Sequence, residues 1–157
     1  MDGQSIFGSN AEVYRGEIIA GIFMKKYLSA VLIWIMIIPI AILNGGFREY
    51  VLAELGTLAL PLSGIILSIC IFGIAYCFVP KIKNSSKKDY FIFGVIWFVL
   101  TNLFDLISYI MDGGGIADLL RSYNILTGNM WILVVLSALF SPAMVMKIRV
   151  NKSENQV

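Results

Sequence analysis

The sequence contains no histidine and only two cysteines, and each shortage argues against a class of functional site. Histidine is the commonest general base near neutral pH and the commonest protein ligand of metals, so we expect neither a metal site nor a cofactor. Cys70 and Cys77 lie two helical turns apart in one apolar run, too far for a disulfide within one helix. They also lack the spacing of a redox pair, and we interpret them as core residues.

Charged residues are also scarce, at 14% of the chain, and the net charge is only +2. This balance argues against a nucleic-acid-binding protein. Apolar residues are in large excess: 59% of the 157 residues are hydrophobic, and the mean hydropathy is +0.84. Soluble domains are usually about 45–50% apolar, and so small a fold could not bury this surplus from water. The composition therefore predicts that lipid covers much of the surface.

Four segments are long enough to cross a bilayer, which takes about 20 residues, and only Asp105 interrupts them. The predicted spans are residues 27–47, 55–80, 90–111 and 126–146. Apolar residues surround each segment instead of forming one stripe, as is typical of helices in lipid. The fold class we predict is all-α: a membrane-embedded four-helix transmembrane bundle, residues 24–149.

Basic residues predict the orientation of this bundle, because cytoplasmic connections are enriched in lysine and arginine. Ten of the twelve precede the first span, join the second to the third, or follow the fourth; the exceptions are Arg48 and Arg121. We therefore expect both termini in the cytoplasm and the protein in the inner or plasma membrane. Residues 150–157 would form a cytoplasmic tail. Residues 1–23 would form a cytoplasmic extension, either a short surface helix with Val13, Ile18, Ile19 and Phe23 as apolar contacts or a mobile extension.

Proline and glycine predict the breaks between and within spans. Pro39 and Pro142 each remove a helical hydrogen bond and should bend the first and fourth spans. Asn44-Gly45-Gly46 should end the first span, and Gly113–Gly115 should end the third. Small residues at Gly64, Ser68, Gly73 and Cys77 form a row on the second span. This row favours close helix packing, either within the bundle or in a dimer.

The connection after the three glycines has a helical pattern. Ile116, Leu119, Leu120 and Tyr123 are spaced i, i+3, i+4, i+7, which predicts a short outer interfacial helix with one apolar face. This helix is either a simple connector or a lid over an outer cavity.

Asp105 is the only charged residue within the predicted spans. It lies roughly 9–10 Å from the end of its span near Met111, at 1.5 Å per residue. A carboxylate at that depth should face the bundle interior, within salt-bridge or water-bridged reach of a partner. Arg48 is the first candidate for that partner and Arg121 the second. The sequence leaves open whether such a pair docks helices or forms a ligand or proton site.

Three stretches, "NGGFREY", "VLTNLFD" and "RSYNILTGNMW", resemble small uncharacterised prokaryotic four-span membrane proteins over about residues 24–149. This chain has Asp105 where those proteins have glutamate. The resemblance implies no reaction. It does imply that one group of residues acts together: Asn44, Arg48, Glu49, Thr101, Asp105, Tyr123, Asn124, Gly128 and Trp131.

Three functions stay open. The first is non-enzymatic handling of a small ion, lipid or solute near the outer leaflet, alone or as a subunit of a membrane complex. The second is a lipid- or isoprenoid-modifying enzyme with Asp105 and Glu49 as acid and base, and the third is a structural assembly partner. Expected partners are membrane lipid and further copies of the chain or a larger complex. The candidate ligand-binding or helix-docking cluster is Asn44, Arg48, Glu49, Thr101, Asn102, Asp105, Tyr109, Arg121, Tyr123 and Asn124.

Overall fold

The computed structural model describes residues 3–154, and the chain has no β-strand in that range. The helices are α1 (Gly3–Ile35), α2 (Ile37–Tyr50), α3 (Ala59–Phe78), α4 (Lys87–Met111), α5 (Ile116–Ser122) and α6 (Trp131–Glu154). Short 3-10 segments cover Leu52–Leu58, Val79–Lys81 and Ile125–Thr127. The all-α prediction is confirmed for these residues.

Four helical stretches are long and apolar enough to cross a membrane, and they indicate a multi-pass membrane protein. They are Arg15–Tyr50, Leu52–Lys81, Lys87–Met111 and Trp131–Arg149. We call the end of the bundle formed by Tyr50, Met111 and Trp131 the Asp105 end. The opposite end, formed by Lys26 and Asp89, is the Asp89 end.

The core lies where α6 packs against both α3 and α4. Trp97, Phe93 and Ile71 are fully buried there. Gly94 on α4 permits the close approach of α6, because a Cβ at that position would overlap the backbone carbonyl oxygen of Leu139. The absence of a side chain at Gly94 thus lets the two helices lie closer together than a larger residue would allow.

The first span is interrupted near its proline, whereas the fourth span is continuous. The helix is interrupted at Met36, between α1 and α2. Pro39 has no N–H to donate to the carbonyl of Ile35, and just before it the N–H of Met36 bonds the carbonyl of Ile33 at 3.1 Å. The interruption lies three residues before Pro39, and the bends predicted at Pro39 and Pro142 stay predictions. The fully buried Pro142 lies within α6, which has no break there.

The prediction that Asn44-Gly45-Gly46 ends the first span is wrong, because α2 continues through these residues to Tyr50. The Asn44 side chain does not form a turn; its Nδ2 donates to the carbonyl and the hydroxyl of Ser63 on α3, at 3.2 and 2.7 Å. A helical glycine costs only about 1 kcal/mol, which this packing offsets. The chain reverses later, where Gly56 adopts a φ of 57°.

The fourth span begins later than predicted, at Trp131 and not at residue 126. Gly128 adopts the left-handed region with φ 77° and stops the preceding 3-10 turn. The side-chain oxygen of Asn129 then accepts a bond from the N–H of Trp131 at 3.0 Å and starts α6. Local side-chain bonds of this type compete with helix continuation.

The predicted connecting helix is confirmed as α5. Gly113, with φ 82°, lets the chain leave α4, and the Asp118 side chain accepts from the N–H of Gly115 at 2.9 Å at the start of α5. Leu119 is buried, whereas Ile116 and Leu120 are each 65% exposed. Only part of the apolar face of α5 therefore packs on the bundle.

The segment before Met24 is part of α1, which passes through Met24 without a break. Ile18, Ile19 and Phe23 are 63%, 47% and 49% exposed, so most of their apolar surface is not covered by the bundle. The side chain of Val13 lies outside the described residues. At the other terminus, α6 continues to Glu154, into the predicted tail.

Candidate functional site

A cavity of about 300 Å³ opens within the Asp105 end of the bundle. It lies among α1, α2, α3 and α4 and the start of α6. Most of its wall is apolar, including Ile37, Leu67 and Phe104. Its polar lining consists of Asn44, Arg48, Ser63, Thr101, Asp105, Ser108, Asn129 and the indoles of Trp34 and Trp131.

Asp105 lines this cavity and makes no direct ion pair with any described side chain. Its Oδ2 is buried and has no hydrogen-bond partner within the described part of the chain. Arg48 lines the same cavity and, among the described side chains, pairs only with Glu49, at 3.8 Å. Arg121 is 3.4 Å from Asp118 on its own helix. Among the described side chains, Asp105 therefore has no direct salt bridge, and Arg48 is its neighbour only in the lining of the same cavity. A water-bridged contact between the two side chains stays a prediction.

Two other residues of the lining carry a buried polar atom that makes no direct hydrogen bond among the described residues: Asn44 at Oδ1, and Trp131 at Nε1, which lies near the Tyr123 phenol. The amide nitrogen of Asn44 is already committed to Ser63, so only its oxygen remains as an acceptor. Buried polar atoms in proteins almost always have hydrogen-bond partners. Two acceptors and one donor on residues that line one cavity thus suit a guest that both donates and accepts hydrogen bonds.

Thr101 has a structural role at the side of the cavity. Its hydroxyl oxygen accepts a bond from Nε1 of Trp34 at 3.0 Å, and both side chains are buried. This bond joins α1 to α4. Trp97 makes a second cross-link between the same helices, since its Nε1 donates to the carbonyl of Ala30 at 2.8 Å. The two bonds hold the wall of the cavity in place.

The rest of the predicted cluster does not line the cavity. Asn102 donates to the carbonyl of Phe98 at 2.8 Å and accepts from the hydroxyl of Tyr123. Burial raises the pKa of the Tyr123 phenol, which keeps its proton available for this bond. The Asn124 side chain accepts from the N–H of Leu126 at 3.1 Å. These residues fix the connection between α5 and α6 against α4.

Three further members also lie outside the cavity lining. The side chains of Glu49 and Arg121 are 66% and 81% exposed, and Tyr109 is half-buried. The structure therefore separates the predicted cluster into a cavity group, a connection group and exposed residues. The cavity group comprises Asn44, Arg48, Thr101 and Asp105.

Sequence reasoning missed several cavity residues. Trp34 and Ser63 lie within apolar spans, where neither carries a motif, and Ser108 and Asn129 also line the cavity. One weak signal was available: Ser108 shares the helical stripe of Thr101 and Asp105. No sequence pattern marks Ser63, because whether it lines the cavity depends on how α3 packs against α2.

A buried network at the Asp89 end was also missed. Lys26 Nζ lies 2.8 Å from Asp89 Oδ1, and the Tyr27 hydroxyl donates to the same oxygen at 2.8 Å. The N–H and the hydroxyl of Ser86 donate to Oδ2 at 2.7 and 2.9 Å. The signal in the sequence was the Ser86-x-x-Asp89 capping box, which starts α4. Both carboxylate oxygens of Asp89 on α4 have partners, and two of these partners, Lys26 and Tyr27, belong to α1. The network therefore docks α1 on α4.

Comparisons of the chain with protein-family models, curated proteins and solved structures found no match. The resemblance to prokaryotic four-span proteins therefore stays a prediction.

Proposed function

We propose that this chain is an integral membrane protein that binds a small molecule in the Asp105 cavity and does not transform it. The observation that carries the proposal is the buried, unpaired Oδ2 of Asp105 in a cavity of about 300 Å³ with largely apolar walls. A carboxylate removed from water needs a cation or hydrogen-bond donors. The ligand would therefore carry an ammonium or similar donor group on an apolar body.

The polar groups around Asp105 support a ligand of mixed character. Asn44 Oδ1 adds a second acceptor for the donor group. Trp131 Nε1 and the Arg48 guanidinium can bond an acceptor or an anionic group on the same ligand. A small solute or a lipid headgroup with both kinds of group would satisfy all four residues.

The proposal includes an inner or plasma membrane location with both termini in the cytoplasm. The distribution of basic residues supports this orientation, and it would place the Asp105 cavity toward the outer leaflet. The exposed apolar surface supports embedding, since soluble monomers rarely expose large continuous apolar patches. Examples on three helices are Leu32, Ile69 and Val99, which are 56%, 66% and 54% exposed.

The geometry gives less support to an enzyme. An acid–base mechanism with Asp105 and Glu49 requires both carboxylates to reach one substrate. Glu49 does not line the cavity, and its side chain is 66% exposed. These observations favour binding over acid–base catalysis.

The experiment uses phenylethylammonium, which combines an ammonium donor with an apolar body, and phenylpropionate as a matched anion. Trp34 and Trp131 line the cavity, so their fluorescence should report binding to the purified protein in nanodiscs. We expect saturable binding of the cation that Asp105→Asn weakens at least about tenfold, since hydrogen bonds to charged groups contribute about 1.5–3 kcal/mol.

Asp112→Asn is the control, because Asp112 is an exposed aspartate near the same end that does not line the cavity. It should leave cation binding unchanged. Equal binding by wild type and Asp105→Asn would refute a ligand site at Asp105. If Asp105→Asn changed only the unfolding temperature, the assembly-partner hypothesis would be favoured instead.

A further inference from the structure

Four lysines converge on a second depression, at the Asp89 end of the bundle and remote from the Asp105 cavity. Its volume is also about 300 Å³. One side comes from α1 and the other from the segment that follows α3. Its lining consists of Ile22, Lys25, Lys26, Ser29, Lys81, Ile82, Lys83 and Asn84. We call it the lysine pocket.

Only one of the four ammonium groups is neutralised. Lys26 is paired with Asp89 at 2.8 Å. Lys25, Lys81 and Lys83 are exposed, and none has a carboxylate within 4.0 Å among the described side chains, residues 15–126 and 128–149. The pocket therefore holds three uncompensated positive charges. Three cations on the lining of one depression make it electrostatically positive, and an anion bound there would be attracted by all three.

The backbone that carries the lysines is fixed. Ile82 is 7% exposed, and its N–H bonds the carbonyl of Val79 at 3.1 Å. The hydroxyl of Ser85 donates to the carbonyl of Ile82 at 3.3 Å. Lys81 Nζ lies 4.5 Å from the centre of the Phe78 ring, a cation–π contact. The pocket is thus formed before any ligand binds.

The wall of the lysine pocket continues into exposed apolar surface. Ile22 lines the pocket and is 43% exposed, and the adjacent Phe23 and Met24 are 49% and 68% exposed. A ligand that joins an anionic group to apolar chains would contact both regions. Basic pockets between membrane helices on the cytoplasmic side characteristically bind anionic lipid headgroups.

We infer that the lysine pocket binds the phosphate group of an anionic phospholipid, with Lys25, Lys81 and Lys83 as its ligands. This inference rests on the membrane embedding in the proposed function, but not on ligand binding at Asp105. The orientation inferred from basic residues would place the pocket at the cytoplasmic leaflet, which is the anionic one.

The test measures how phosphatidylglycerol changes the unfolding temperature of the detergent-purified protein, with phosphatidylcholine as the zwitterionic comparison. We expect phosphatidylglycerol to raise that temperature in the wild type. The triple variant Lys25→Gln, Lys81→Gln, Lys83→Gln should bind phosphatidylglycerol at least tenfold more weakly. Lys87→Gln, Lys88→Gln, Lys147→Gln removes the same charge from exposed lysines outside the pocket and should respond like the wild type.

Three outcomes would overturn the inference. Phosphatidylglycerol could leave the unfolding temperature of the wild type unchanged, or it could raise that of both triple variants equally. Inorganic phosphate could also raise the unfolding temperature as much as phosphatidylglycerol does, which would make free phosphate the ligand. If the pocket variant did not fold, the single variant Lys25→Gln would replace it, and native mass spectrometry would measure the bound phosphatidylglycerol. We expect this variant to retain less lipid than the wild type, and equal retention would overturn the inference. Asp105→Asn should keep the lipid response. Extraction of the chain from membranes by alkaline carbonate would count against embedding itself.

Discussion

Lys26 of α1 and Asp89 of α4 form an ion pair of 2.8 Å in which both side chains are only 7% exposed. The pair lies at one end of the bundle, and the Trp34–Thr101 hydrogen bond joins the same two helices further along. Helix α1 makes few other close backbone contacts with the bundle. We therefore expect these polar cross-links to decide whether α1 stays docked.

Lys26→Met should lower the free energy of unfolding by about 3–5 kcal/mol, because it leaves the Asp89 carboxylate buried without its cation. Adding Asp89→Asn to this variant should lower the stability by less than the sum of the two single changes. Reversible unfolding in one detergent would measure the free energy of unfolding of the wild type, the two single variants and the double variant. Lys88→Met, at an exposed lysine, is the control, and an equal loss in both single lysine variants would contradict the prediction.

Gly94→Ala should destabilise the bundle, since the added Cβ would overlap the carbonyl oxygen of Leu139 and push α4 from α6. Overpacking of this kind costs about 1–3 kcal/mol. Gly73→Ala is the matched change on α3, where a Cβ would meet no atom within 4 Å. It should be neutral or slightly stabilising in the same unfolding measurement. A larger loss at Gly73 than at Gly94 would show that the helix packing is different.

Gly46→Ala should leave the protein as stable as before or stabilise it by up to about 1 kcal/mol, because Gly46 is helical and a Cβ there has free space. Gly56→Ala should destabilise it by about 1–3 kcal/mol, because Gly56 has φ 57° and ψ −120°. Circular dichroism and unfolding of both variants provide the check. If Gly46→Ala destabilised the protein more than Gly56→Ala, the turn would lie at Asn44-Gly45-Gly46 and not at Gly56.

The proposed orientation predicts which introduced cysteines are reached from outside the cell. In a chain that carries Cys70→Ala and Cys77→Ala, Asp112→Cys should react with an impermeant maleimide in intact cells. Ser85→Cys, a nearly isosteric change in the connection between α3 and α4, should react only after the membrane is permeabilised. Labelling of Ser85→Cys in intact cells would reverse the orientation.

The sequence determined the number and type of spans because these depend on local composition. A segment of about 20 uncharged apolar residues forms its own hydrogen bonds as a helix wherever it lies in the bundle. The same holds for α5, whose apolar spacing is a property of eight neighbouring residues. The interruption of the first span lies near Pro39, whose missing N–H is likewise a local property.

The boundaries were decided by tertiary contacts, as Asn44 and Gly128 show. Both belong to turn-forming types, but the difference between helix and turn at such a residue is only about 1 kcal/mol. The bonds from Asn44 to Ser63 on α3 favour a helical α2, because a net hydrogen bond contributes about 0.5–1.5 kcal/mol. Gly128 instead adopts φ 77°, which glycine reaches without strain, and the chain turns there.

The partners of the polar side chains were decided only by the tertiary structure. Asp105 was visible as an anomaly in the sequence, but its lack of a direct salt bridge to Arg48 was not. The Lys26–Asp89 pair could not be predicted either, because both residues lie in charged segments whose pattern indicates the orientation of the bundle and not the contacts of single side chains. The physical reason is that helices apolar on every side carry no periodicity to fix their rotation about their axes. That rotation comes from close packing, such as Gly94 against Leu139, and it selects which polar atoms meet.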